Sequence, residues 1–147
     1  MGLLNWLKQR RAGKEDVALE VNKDEEELAG LNLKSAVEAH MAWRQRLTKV
    51  IDGTSKEHLE ATEIGRSDLC VLGKWINSTG DQTYGNLDEY RKLLKTHSDF
   101  HMAAASVLMT HNAGKRADAS RLLDGDFQRL SDQVQLSLVS LFVKAKS

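Results

Sequence analysis

The sequence predicts an all-α protein, an antiparallel four-helix bundle with an additional short N-terminal helix. Proline, which breaks helix interiors, is absent from all 147 residues. The chain is rich in alanine, leucine, lysine and glutamate, which favour helices. Four segments also carry apolar residues at helical spacing, with short or moderate connections that favour antiparallel packing. At this length one domain is expected, formed by residues 31–147, after an amphipathic segment and charged linker at residues 1–30.

Charge, cysteine content and hydropathy limit the functions open to this chain. Basic and acidic residues number 21 each, so no overall field attracts nucleic acid, and no nucleic-acid partner is expected. The single cysteine excludes an internal disulfide and is typical of a reducing compartment. The start, MGLLNWLKQRR, has the wrong order of apolar and basic residues for a secretory signal. No apolar run approaches the roughly 20 residues needed to span a bilayer, so we expect a cytoplasmic protein.

Residues 1–11 are predicted to form a short amphipathic turn or two, with Leu3, Leu4, Trp6 and Leu7 as the apolar residues. Two interpretations fit. The segment packs on the domain or on a partner chain, or it is a weak membrane-surface or partner-docking anchor, for which Trp beside Lys and Arg is suitable chemistry. We predict that it docks on a partner or a membrane surface and is dispensable for folding. From Arg11 to Gly30 the pattern becomes mostly charged, which indicates a linker.

The first long helix is predicted from the cap residue Asn32 to Asp52, before Gly53 as a stop. Its inward stripe contains His40 at the midpoint. The stripe consists of Leu33, Ala36, Val37, His40, Trp43 or Arg44, Leu47, Val50 and Ile51. A shorter helical stretch, Ser55 to Ile64, follows, and its His58 is expected at the surface because its neighbours are charged.

The next predicted helix runs from Ser67, as its cap, to Asn77. Cys70 would then lie in the first turn, where free amides and the helix dipole favour a thiolate. Gly73 would permit close approach of a neighbouring helix. Residues Ser78 to Gly85 are interpreted as a loop.

The longest helical pattern, Asn86 to Ala113, carries His97 and His101 on its inward face. Residues four apart on a helix share one face, so the two imidazoles can hold one metal ion between them. The same face is predicted to carry Leu87, Tyr90, Leu94, Ala104, Ala105 and Leu108. A last helix, Arg116 to Lys144, has a possible kink at Gly125. Its buried face is predicted to contain Ala119, Leu122 or Leu123, Phe127, Leu130, Val134, Leu138, Leu141 and Phe142.

Four candidate ligands thus come from three helices: His40, Cys70, His97 and His101. Zinc favours tetrahedral sites of thiolate and imidazole, and helical bundles build such sites from facing helices. A di-iron site fits less well, because it needs two Glu-x-x-His motifs and no Glu precedes these histidines by three. Copper is chemically possible, but the pattern demands no axial methionine.

The spacing resembles the bacterial chemoreceptor zinc-binding (CZB) domain, over Leu33 to about Phe142. The parts of the motif read here as His40-x-x-Trp43, Cys70-x-Leu72-Gly73-x-Trp75 and His97-x-x-x-His101. The resemblance implies a helical homodimer that binds zinc through three histidines and Cys70, the latter as a redox switch. It also implies regulation of a chemoreceptor or diguanylate cyclase, in chemotaxis or cyclic-di-GMP signalling, in response to zinc or oxidants such as hypochlorous acid. Since this chain lacks room for such a module, a partner protein is expected to read the signal.

Two rival readings stay open. In the first, the protein is a structural helical adaptor whose zinc only holds the bundle together, so that metal removal would unfold it. In the second, it is a hydrolytic zinc enzyme, which needs an open coordination position and a general base. Four protein ligands leave no such position, and no motif marks Asp68 or Asp99 as catalytic. We therefore expect no enzymatic activity.

Overall fold

The structure is a computed structural model that describes residues 2–14 and 17–147. Met1, Glu15 and Asp16, which belong to the predicted N-terminal segment and linker, lie outside the described residues. The chain is 71% helical, which confirms the predicted helical class. The four-helix arrangement and the dimer stay predictions. The helices are α1 (Leu3–Arg11), α2 (Leu33–Asp52), α3 (Ala61–Ile64), α4 (residues 71–84), α5 (Asp88–Asn112) and α6 (residues 116–145), and a small antiparallel hairpin, β1 (Glu27–Leu28) with β2 (Leu31–Asn32), precedes α2.

Helix α2 begins and ends where its capping residues predict. The side-chain oxygen of Asn32 accepts a hydrogen bond from the Ser35 amide at 2.9 Å. Gly53 has a φ of 78°, the left-handed conformation in which glycine commonly ends a helix. His40 is buried near the middle of this helix, as predicted.

The predicted helix from Ser55 to Ile64 is wrong for its first part, since only Ala61–Ile64 is helical. Polar groups in the non-helical part find other partners. The Ser55 hydroxyl accepts a hydrogen bond from the Glu57 amide at 3.2 Å, and Arg46 of α2 binds the Glu57 carboxylate at 2.8 Å. These bonds compete with the helical backbone ladder.

The predicted loop from Ser78 to Gly85 is also wrong, because α4 continues through most of it. Val71–Trp75 leads into a π-helical turn, Ile76–Gly80, and then into Asp81–Tyr84. The Tyr90 hydroxyl donates to the Ile76 carbonyl at 2.6 Å, and so supplies a partner within the irregular turn. Gly80 packs directly on the Trp75 ring, where an added Cβ would lie 2.8 Å from a ring carbon.

The core lies between the two longest helices, α5 and α6, with α2 and α3 against α5. Leu93 faces this core with no exposed surface, whereas Leu94, which was predicted to face inward, is 42% exposed. The inward face predicted for this part of α5 was therefore displaced by one residue. In α6 the predicted kink at Gly125 is a π-helical turn, Leu123–Phe127. The predicted inward residues of α6 are buried, with Leu123 rather than Leu122 at the alternative position.

Helix α1 packs against the second half of α6. Its Leu3, Trp6 and Leu7 side chains are 1–2% exposed and join the same core, whereas Leu4 is 50% exposed. The Trp6 indole donates to the Val17 carbonyl at 3.2 Å, and the Glu25 carboxylate caps the helix at the Leu3 amide at 3.1 Å. The structure thus supports the interpretation that this segment packs on the domain. Within the described residues, every helix is too short or too polar to cross a membrane.

Candidate metal centre

Three helices bring the four candidate ligands to one point. His40 comes from α2, Cys70 precedes α4 as its cap residue, and His97 and His101 lie one turn apart in α5. Their ligand atoms all lie within 4.8 Å of one another. The three imidazoles are 2–3% exposed and the cysteine is partly exposed, so the cluster lies just beneath the surface at the start of α4.

The separations between ligand atoms fit a single zinc ion. The Nε2 atom of His97 is 3.0 Å from that of His40 and 3.1 Å from that of His101. The Cys70 sulfur lies 3.3, 3.6 and 3.8 Å from the Nε2 atoms of His97, His101 and His40. In a tetrahedral zinc site, ordinary bond lengths place two nitrogens about 3.3 Å apart and nitrogen and sulfur about 3.6 Å apart. The two nitrogen–nitrogen distances, 3.0 and 3.1 Å, are slightly shorter than the first value, and the three nitrogen–sulfur distances lie on both sides of the second.

Backbone carbonyls fix which ring nitrogen is free to bind a metal. The Nδ1 atom of His40 lies 2.8 Å from the Ala36 carbonyl, and that of His101 lies 2.8 Å from the Ile64 carbonyl. Because a carbonyl only accepts, each Nδ1 must carry the proton, and each Nε2 then presents a lone pair to the centre. Ile64 ends α3, so its carbonyl is otherwise without an intrahelical partner. The short helix α3 therefore serves to orient His101.

This arrangement requires a positive charge at its centre. Lone pairs on nitrogens about 3 Å apart repel unless a cation or a shared proton lies between them. Burial lowers the pKa of His40 to about 4 and lowers the pKa values of His97 and His101 as well, with further lowering by neighbouring imidazoles at His40 and His97. Each imidazole therefore loses its proton at a lower pH than an ordinary histidine does. A metal ion with affinity for nitrogen and sulfur is the group that these donors accommodate.

The environment of Cys70 corrects the prediction of a thiolate stabilised by the helix. The sulfur does accept a hydrogen bond from the Gly73 amide at 3.3 Å, which lowers the pKa of the thiol. Burial has the larger effect and raises the pKa above its ordinary value. Cys70 is thus a neutral thiol when no cation is bound, and a bound metal ion would be what stabilises the thiolate.

Glycine at position 73 is required by the turn that carries the cysteine, rather than by a neighbouring helix as predicted. A Cβ atom at Gly73 would lie 1.7 Å from the Ser67 carbonyl oxygen, which is far inside contact distance. The Ser67 backbone therefore folds directly over the first turn of α4. This close approach places Cys70, rather than the predicted Ser67, at the cap position.

Sequence reasoning missed the groups around the ligands. The carbonyls of Ala36 and Ile64 carry no signal in the sequence, since every residue has one. Phe100 is fully buried, and its ring centroid lies 5.3 Å from that of His40 and 5.4 Å from that of His101. Its position between the two histidines of α5 was a signal that could have identified it.

The other two histidines lie apart from the cluster. His58 is exposed, as predicted, and pairs with the Glu60 carboxylate at 2.6 Å. His111 lies in the last turn of α5, far along that helix from His101. Within residues 2–14 and 17–147, the only grouping of three or more metal-binding side chains is the cluster of His40, Cys70, His97 and His101.

Comparison with known proteins gives an independent identification. Residues 40–108 match the family model described as the chemoreceptor zinc-binding domain. This stretch begins at His40 and includes all four residues of the cluster. Searches of curated proteins and of solved structures gave no significant match. The motif, the clustered donors and the family match agree, and residues 40–108 are therefore similar to the chemoreceptor zinc-binding domain.

Proposed function

We propose that this protein is a zinc-binding regulatory domain in which His40, Cys70, His97 and His101 hold one zinc ion. The observation that carries the proposal is the convergence of four ligand atoms within 4.8 Å. Zinc would supply a fixed double positive charge that offsets the facing lone pairs and stabilises the Cys70 thiolate. It would also join α2, α4 and α5 at one point, so that its presence can alter how these helices pack.

A regulatory role fits the donors better than hydrolysis does. Four protein ligands complete a tetrahedral zinc site, whereas a catalytic zinc keeps a position open for water. The nearby carboxylates are also paired: Asp68 binds Arg66 at 2.7 Å and Asp99 binds Lys95 at 2.8 Å. Neither carboxylate is poised as a general base.

Metal analysis of purified variants tests the zinc assignment. The parent protein should contain one zinc per chain, and His97→Ala or His101→Ala should lower zinc affinity by at least 100-fold because each removes a ligand. His58→Ala and His111→Ala are the matched controls and should bind zinc like the parent. Loss of zinc in these controls, together with retention in His97→Ala, would show that the site lies elsewhere.

We further propose that the domain responds to oxidants through Cys70. A thiolate attacks hypochlorous acid and gives sulfenic acid and chloride, and sulfenic acid is a weaker metal ligand. The same sulfur caps α4 through the Gly73 amide, so its oxidation would weaken both the metal site and the start of the helix. Since the sequence has one cysteine, reversal would need an external thiol, which is consistent with a reducing compartment such as the cytoplasm.

Hydrogen exchange measures the proposed oxidant response. Stoichiometric hypochlorous acid should increase exchange across residues 67–77, while Cys70→Ala should stay helical and show no change on treatment. Chelation of zinc should likewise leave the chain folded, because its core is large enough to be stable without metal. Unchanged exchange in protein shown by mass to be oxidised at Cys70 would contradict the switch. Global unfolding on chelation would favour the structural adaptor instead.

We propose that the domain works as a homodimer that signals through a partner protein of the chemoreceptor or diguanylate cyclase class. Large apolar side chains remain at the surface and would be covered in such an assembly, among them Met41, Leu69, Val71, Leu94, Met102 and Met109, which are 42–77% exposed. Light scattering at micromolar concentration should report twice the monomer mass. A monomer mass under these conditions would contradict the dimer.

A further inference from the structure

The π-helical turn of α6, Leu123–Phe127, lies beside the ligand helix α2. π-helical turns are rare and frequently occur at functional sites, since each shifts the register of the helix by one residue. Nothing in the metal cluster itself explains this turn, because none of the four candidate ligands lies in α6. Its contacts, however, lead back to the cluster along two separate routes.

The first route runs through Arg44. This residue follows His40 by four positions in α2, so both side chains project from the same face of the helix. Its Nη1 atom donates to the carbonyl of Leu123 at 3.1 Å and to the side-chain oxygen of Gln128 at 3.0 Å. Its Nη2 atom donates to the Asp124 carboxylate at 2.5 Å. One guanidinium thus binds the first residue of the turn and the residue that follows the turn.

The second route runs through two buried aromatic rings. Phe127 ends the turn and is fully buried, and its ring centroid lies 5.1 Å from that of Phe100. Phe100 in turn contacts the rings of His40 and His101 at 5.3 and 5.4 Å. A register shift in the turn would move Phe127, and a close-packed core would pass that displacement to Phe100.

Together the two routes connect Arg44 of α2 to the turn, and the turn back to His40 of α2. Arg44 holds the turn by hydrogen bonds, the turn positions Phe127, and Phe127 packs on Phe100, whose ring contacts His40 and His101. We propose that Arg44 is a positioning residue for the metal site, acting through this turn, and that zinc binding is coupled to the conformation of residues 123–127. The proposal rests on the proposed zinc function. Coupling of this kind is reciprocal, so zinc must stabilise the turn to the extent that the turn stabilises zinc binding.

Zinc affinity, measured by competition with a chromophoric chelator, tests the positioning role. Arg44→Ala should weaken zinc binding roughly 10-fold, within the range found for residues that orient metal ligands. Arg46→Ala is the matched control, because this neighbour on α2 pairs with Glu57 instead. It should stay within about twofold of the parent, because the pair that it removes is largely exposed.

Two further readouts separate positioning from a loss of stability. With cobalt in place of zinc, Arg44→Ala should shift the visible absorption bands that report tetrahedral geometry, and Arg44→Lys should restore them in part. Phe127→Leu should weaken zinc binding as Arg44→Ala does, whereas Phe142→Leu, an equally buried change about 22 Å further along α6, should lower the melting temperature alone.

Hydrogen exchange at residues 123–128 tests the coupling directly. Zinc should slow exchange there in the parent and much less in Arg44→Ala. Parent protein that binds no zinc would overturn the proposed function itself. Parent protein that binds zinc normally, with Arg44→Ala equal to Arg46→Ala in affinity, cobalt spectrum and exchange, would overturn only the positioning role of Arg44.

Discussion

At the scale of single residues, the metal centre is defined by where its protons lie. Carbonyl acceptors hold the protons of His40 and His101 on Nδ1, and burial keeps the imidazoles neutral. The Cys70 thiol is the one ligand that is still protonated near neutral pH, because burial raises its pKa. The metal-free site is therefore three neutral bases and one weak acid.

The first prediction is that log zinc affinity rises with pH with a slope of about one between roughly pH 5.5 and 7.5. Over this range the Cys70 proton must leave, whereas burial lowers the pKa of His40 to about 4 and lowers the pKa values of His97 and His101, so that imidazole protons compete less with the metal. Ordinary histidines, with pKa values of about 6.5, would compete with the metal below that pH and steepen the slope toward four. Chelator competition across this range distinguishes the two, and a steep slope would contradict the site as described.

The sequence was informative about which metal-binding side chains cluster and uninformative about the groups that orient them. His40, His97 and His101 could be placed because helical periodicity puts them on inward faces, and Cys70 because of its spacing from them. The carbonyls that orient two imidazoles could not, since any backbone offers them. The pKa of Cys70 was predicted in the wrong direction, because burial outweighs the nearby amides and burial depends on the whole fold.

At the scale of elements, α4 begins in a backbone turn that only glycine permits at position 73. The helix was predicted to begin after Ser67 as its cap, since the sequence does not reveal that the Ser67 backbone folds back over the first turn. Similarly, Ser78 to Gly85 is rich in loop-forming residues and was interpreted as a loop, although its first three residues complete the π-helical turn Ile76–Gly80. Packing on Trp75 and a hydrogen bond from Tyr90 hold it instead.

The second prediction is that Gly73→Ala weakens zinc binding by at least 10-fold and destabilises the fold. An added Cβ 1.7 Å from the Ser67 carbonyl must move the backbone that positions Cys70. Gly114→Ala is the control, because that glycine has open space around it and lies beyond the end of α5, far along the helix from His101. It should bind zinc normally, although its φ of 81° means that alanine there destabilises the fold as well. Equal zinc affinity in the two variants, measured by chelator competition, would refute the close-approach argument.

At the scale of the whole molecule, the N-terminal segment belongs to the same core as the metal-binding helices. The charged residues before α2 suggested a linker, but Leu28 and Leu31 of the hairpin are buried. The Trp75 indole donates to the Ala29 carbonyl at the tip of the hairpin, at 2.9 Å. At the other end, Lys146 donates to the Asp24 carbonyl at 2.7 Å. Such contacts join residues far apart in sequence and leave no local pattern from which to predict them.

The third prediction is that Trp6→Ala destabilises the protein by about 3–5 kcal/mol, since it empties a large buried volume. This corresponds to a fall in melting temperature of roughly 10 °C. Leu4→Ala, on the exposed side of the same helix, should cost less than about 1 kcal/mol. Thermal unfolding by circular dichroism compares the two. Equal melting temperatures for Trp6→Ala and the parent would favour the alternative in which α1 is a dispensable anchor.

The central claim is that three imidazoles and one thiolate surround a single zinc ion, and X-ray absorption at the zinc edge tests it most directly. The protein loaded with one equivalent of zinc should show three nitrogen scatterers at about 2.0–2.1 Å and one sulfur at about 2.3 Å. The sulfur contribution should vanish in Cys70→Ala, and one nitrogen should be replaced in His97→Ala. A first shell without sulfur in the parent, or a spectrum unchanged by Cys70→Ala, would contradict the account.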